Sequence, residues 1–97
     1  MAHFALLARL EAKPDQADNV EQTLKAAVEL ARREMGTVEW FALKFGPTSF
    51  GIFDTFEDEA GREMHLNGQI AAALKENAEL WLSQPFVIEK IELLAEK

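Results

Sequence analysis

Residues 3–12 read as a strand that is apolar on both faces. Phe4, Leu6, Ala8 and Leu10 alternate onto one side, and Ala5, Leu7, Arg9 and Glu11 onto the other. Such a strand needs cover on both sides. The same doubling returns in residues 86–94, where Phe86 and Ile88 oppose Val87 and Ile91. Two more strands lie between. Residues 37–45 hold the β-favouring Thr37, Val38, Trp40, Phe41 and Phe45. After the Gly46-Pro47 turn, residues 49–56 complete an antiparallel hairpin. Gly51, inside this third strand, predicts a bulge or the close approach of another group.

The remaining segments have helical spacing. Lys13-Pro14-Asp15 breaks the first strand, and Asp15 is placed to cap a helix running to about Glu34. Val20, Leu24, Ala27, Ala31 and Met35 form its core stripe, and Gly36 stops it. Residues 57–66 predict a short helix with Ala60, Met64 and His65 pointing roughly one way. Asn67-Gly68 interrupts it, and Ile70, Leu74, Ala78 and Trp81 mark the face of a further helix. Pro85 ends that stretch. The order β-α-β-β-α-β predicts an α+β, ferredoxin-like fold: a four-stranded antiparallel sheet with its helices on one face. The other sheet face is then bare and apolar. A second copy packed sheet to sheet is the simplest cover, so a homodimer is expected.

At 97 residues, with 48% hydrophobic and 28% charged side chains, the chain is expected to be one globular domain spanning 1–97. A formal net charge of −7 argues against nonspecific binding to nucleic acid or to anionic membranes. The absence of cysteine excludes thiolate and dithiol chemistry. No apolar run is long enough to span a bilayer, and Met1-Ala2-His3-Phe4 lacks the basic region and cleavage site of a signal peptide. A soluble, cytoplasmic protein is the expectation.

His65 stands out among the ionisable residues, because imidazole exchanges protons near neutral pH. From spacing alone, a helix histidine bonded to a strand end is the commoner case. Asp54 shares a strand face with Phe50, Ile52 and Phe56. A carboxylate there needs a partner or a raised pKa. It could orient His65, act as a base, cap the next helix, or pair with Arg9, Arg62 or Lys90. Trp40 and Trp81 could stack on an aromatic ligand or pack the core. Arg9 and Arg62 could hold a substrate oxygen. Gly61 in a helix lowers stability by about 1 kcal/mol relative to Ala, and it could permit close packing or leave room for a ligand. His3 reads as a strand start. No metal-ligand motif, phosphate loop or nucleophile elbow occurs, so no metal or cofactor is expected.

Three local patterns resemble the antibiotic biosynthesis monooxygenase superfamily over nearly the whole chain. Ala12-Lys13-Pro14 is similar to the family's Lys-Pro-Gly turn, with Asp15 where Gly is common. Glu34-Met35-Gly36-Thr37 followed by Trp40 and Phe41 resembles its Glu-Pro-Gly-Cys/Thr lead into strand two, with Met35 in place of Pro. Asp54-Thr55-Phe56 followed by His65 resembles a Glu-x-Trp strand end and a helix histidine nine residues on. The resemblance implies a dimeric α+β barrel with a pocket between sheet and helices in each protomer. It implies cofactor-free oxygenation of a small phenolic, quinol or polycyclic aromatic molecule. His65 and Asp54 would be the catalytic candidates, and Phe4, Leu6, Trp40, Met64 and Trp81 would contact substrate. The family's heme-degrading branch fits poorly, since Ala8, His65 and Lys75 stand where it carries Asn, Trp and His. A non-catalytic binding or stress-related domain and a cofactor-free isomerase are the alternatives on this fold.

Overall fold

The structure is a computed structural model that describes residues 3–97; Met1 and Ala2 lie outside the described residues. The strands are β1 (Phe4–Glu11), β2 (Thr37–Lys44), β3 (Ser49–Phe56) and β4 (Val87–Glu92). The helices are α1 (Ala17–Arg32), α2 (Glu59–Leu66) and α3 (Gln69–Trp81), so the second helical segment is split at Asn67-Gly68 as expected. The strands form one antiparallel sheet in the order β2-β3-β1-β4. This is the ferredoxin-like α+β arrangement. The two central strands, β1 and β3, pair directly, with Leu6 opposite Asp54 and Leu10 opposite Phe50.

Alternation decides which side each residue occupies. Leu10, Phe50 and Ile52 join Val20, Leu24 and Ile70 in the main core, so this sheet face carries the helices. Trp40 packs against the same core, which places it on the helix side. The opposite face presents Phe41 at 47% exposure, Phe45 at 54% and Val87 at 51%. On that face Phe41 stacks on Phe53 with ring centroids 6.5 Å apart.

Two local expectations are corrected, and the alternative at Gly51 is decided. Asp15 does not cap α1: Pro14, with its fixed φ, opens a 3-10 turn over Pro14–Gln16, and neither the turn nor α1 has a side-chain cap. Met35 does not extend the core stripe, being fully exposed. The amides of Arg33 and Glu34 bond back three residues, to Leu30 and Ala31. This tightened exit turn throws Met35 outward. At Gly51 the close approach holds and not the bulge, since it pairs regularly with Arg9 and Leu43. Its missing side chain instead admits the Phe45 ring and the Ala8 carbonyl, which a Cβ would meet at 2.9 Å and 2.8 Å. The irregularity falls between Thr37 and Glu39, where the Glu39 N–H donates to Thr55 Oγ1 at 3.1 Å.

Candidate functional site

The site forms where α2 crosses the exit of α1. Asp58 caps α2, its Oδ1 accepting from the Gly61 N–H at 2.8 Å. Gly61 then lies against Gly36: a Cβ on Gly36 would come within 2.9 Å of the Gly61 Cα, and one on Gly61 within 3.0 Å of the Gly36 carbonyl oxygen. Two glycines are needed for backbones this close. Close packing, not room for a ligand, is therefore the role of Gly61. One turn further along α2, His65 reaches the sheet beneath and the α1 exit beside it.

His65 is held between two carboxylates. Its Nε2 lies 2.8 Å from Asp54 Oδ2, and its Nδ1 lies 2.9 Å and 3.0 Å from the two oxygens of Glu34. Asp54, on the central strand β3, is only 1% exposed. Its contact with His65 is close, but the imidazole N–H is not aimed along it, and both Asp54 oxygens are buried without an aligned donor. The other proposed partners of Asp54 are engaged elsewhere. Arg9 pairs with Glu89 and Lys90 with Glu63, while Arg62 donates to the carbonyls of Ala5 and Ile91. Burial pushes the His65 pKa down, but hydrogen bonding and charge from Asp54 and Glu34 outweigh it, so the pKa stands above the ordinary value. The site thus favours an imidazolium, stacked at a tilt on Phe56 with centroids 5.3 Å apart.

Two spaces meet at this histidine. Behind it, between sheet and helices, is a crevice of about 30 Å³ lined by Leu6, Ile52, Asp54, Leu66 and Phe86 among others. In front is an open groove of about 560 Å³ bordered by Glu34, Met35, Thr37, Met64 and Gly68. His65 and Ile70 line both. The indole N–H of Trp40, which faces Asp54 across the β2–β3 ladder, is buried without a partner, as is the Thr37 hydroxyl. Unpaired buried polar groups are costly and cluster where ligands or water bind.

The structure brings His65, Asp54 and Leu6 together, with Trp40 beside them. Met64 is 74% exposed and borders the outer groove instead of an enclosed pocket. It lies one residue before the buried His65 on α2, and neighbouring helix positions face different directions. Phe4 sits under the Arg62 guanidinium, 5.1 Å from its ring centroid, and lines neither space. Trp81 packs at the far end of α3, beside Leu10, Val20 and Leu82. Sequence alone assigns Glu34 no role, although it heads the Glu34-Met35-Gly36-Thr37 pattern. That pattern was the available signal. Among the described residues no three His, Asp or Glu side chains converge to hold a metal ion; here the two carboxylates bind opposite edges of the imidazole.

The fold is shared with solved proteins named as antibiotic biosynthesis monooxygenases. A solved antibiotic biosynthesis monooxygenase superposes with a TM-score of 0.77 at 18% identity, covering 95% of this chain and 99% of that one. A Pseudomonas aeruginosa protein superposes with a TM-score of 0.82 at 25% identity, over 98% of this chain and 97% of its own. The chain belongs to the same family as a Nitrosomonas europaea protein of unknown function, with which it shares 60% identity over all of this chain and 94% of that one, at a TM-score of 0.97. No family model and no curated protein sequence matches the chain.

Proposed function

We propose that this protein is a cofactor-independent oxygenase of a small phenolic, quinol or polycyclic aromatic substrate. One observation carries the reading: a carboxylate–imidazole–carboxylate array stands where an apolar crevice meets an open groove. The fold it shares with a solved antibiotic biosynthesis monooxygenase supports it. The groove takes the body of the ring system, and the crevice no more than its reacting edge. Asp54 accepts the substrate proton, and the His65 imidazolium steadies the anion that forms. The electron-rich anion then passes electrons to dioxygen. For a ring methylene the balance is CH2 + O2 → C=O + H2O, with the substrate supplying all four electrons, so no external reductant is consumed. Leu6 and Trp40 shape the inner wall.

The open sheet face supports a further part of the proposal, a homodimer closed through Phe41, Phe45 and Val87. An apolar patch of this kind on a small domain calls for cover.

A cofactor-free isomerase is the second reading, because the array handles protons whatever follows the first transfer. Oxygen uptake across a panel of anthrones and hydroquinones separates the two. The oxygenase reading expects oxygen-dependent quinone formation that collapses in His65→Ala. Product formed equally without oxygen selects the isomerase. Uptake unchanged in His65→Ala overturns the site.

A further inference from the structure

The two carboxylates on His65 differ in one respect that bears on turnover. The Asp54 side chain is 2% exposed and faces the crevice, whereas the Glu34 side chain is 23% exposed and faces the groove. A proton accepted inside has no direct path to water, and His65 is the residue in contact with both sides. We propose that Glu34 is the proton port of the site, exchanging protons between the buried His65–Asp54 pair and solvent. The inference rests on the reading that this is the reacting centre, and it adds how that centre resets.

With His65 protonated and both carboxylates ionised, the array carries one negative charge. Once the anion has given up its electrons and its proton remains on Asp54, the Nδ1–H of His65 passes to Glu34 and on to water. Asp54 is then neutral, His65 is neutral with its proton on Nε2, and Glu34 is ionised again. One proton has entered, one has left, and the net charge is unchanged. The reverse sequence returns a proton to product.

The geometry is built for this transfer. Both Glu34 oxygens are within 3.0 Å of Nδ1, and the Gly36–Gly61 contact fixes the α1 exit against α2. Gly68 leaves the space occupied by the carboxylate, since a Cβ there would lie 3.2 Å from Glu34 Oε2. Arg33, the other charged residue bordering the groove, makes no ion pair among the described residues.

The test needs no substrate. In protein labelled with ¹⁵N-histidine, exchange of the His65 Nδ1–H with water is measured by NMR near pH 6. Glu34→Gln keeps the shape but cannot carry the proton, and the exchange should slow by at least about tenfold. In Glu34→Ala the exchange should also slow, and added formate should restore it; formate should not restore Glu34→Gln. Glu34→Asp, which keeps the charge one methylene back, should fall between and serves if Glu34→Gln does not fold. Exchange in Glu34→Gln, or in Glu34→Asp where that variant stands in, as fast as in the wild type would overturn the proposal. Because the signal belongs to the resting protein, a negative oxygen-uptake panel and a failed proton port are separate results.

Discussion

Replacing Asp54 by Asn should make stability depend on pH in a way that reverses across neutrality. The substitution preserves size and sets a neutral amide where a carboxylate oxygen stands 2.8 Å from His65 Nε2. What disappears is the charge. The buried imidazolium loses the nearer of its two counter-charges while Glu34 remains, so the variant should lose on the order of 1 kcal/mol while His65 is protonated. A histidine whose pKa is raised on folding contributes its full stability below about pH 6.5, its unfolded value. That contribution fades as pH climbs through the folded value, which Asp54 and Glu34 hold above the ordinary one. Above it the wild type keeps a carboxylate that is 1% exposed and no longer faces a cation. Burying an uncompensated charge is costly, and the neutral variant avoids that cost. Urea melts at pH 6, 7.5 and 9 should show Asp54→Asn less stable at pH 6 and equal to or more stable than the wild type at pH 9. In thermal melts the pH 6 deficit corresponds to about 4–8 °C for each kcal/mol. A deficit that is constant, or that grows with pH, would refute the pairing.

Gly36→Ala sets a Cβ 2.9 Å from the Gly61 Cα, so it should cost about 1–3 kcal/mol in chemical denaturation. Gly46→Ala, with nothing within 4 Å of its Cβ, is the matched control and should stay close to the wild type. Asp58→Ala removes the α2 cap and should cost about 0.5–2 kcal/mol; amide exchange should show the loss concentrated in the helix that carries His65. Phe41→Glu places a charge on the open sheet face; sedimentation should show the proposed dimer for the wild type and a monomer for the variant, with the far-ultraviolet spectrum retained.

Much of the architecture could be read from periodicity. The third strand, residues 49–56, was predicted to the residue, because Gly46-Pro47 bounds it on one side and the change from period two to helical spacing on the other. Asn67-Gly68 marked the helix break. The misses are end effects and longer-range choices. Met35 continues the α1 pattern in sequence, but a tightened last turn had already left that helix geometry. Asp15 has the chemistry of a cap, yet Pro14 beside it starts a different kind of turn. Phe4 and Trp81 are large aromatics on the correct sheet face and helix, but their distance along each element carries them away from His65. That distance is set by the β1–β3 register and the crossing of α2, and no local pattern encodes either.

The site itself was half legible. His65 and Asp54 stood out because one is the residue that titrates near neutrality and the other is a carboxylate on an apolar strand face. Glu34 did not, because a glutamate near a helix end is an ordinary surface residue until the backbone beyond it folds. The Gly36–Gly61 contact makes the difference, and it joins residues 25 positions apart in a way that only the packed structure reveals.

The most direct test of the account is turnover of a responsive anthrone under ¹⁸O₂, in wild-type protein and in His65→Ala. The account predicts one oxygen atom from dioxygen in the new carbonyl of the wild-type product, and no enzymatic product from the variant. Label arriving from water, or the same labelled product from His65→Ala, would contradict it.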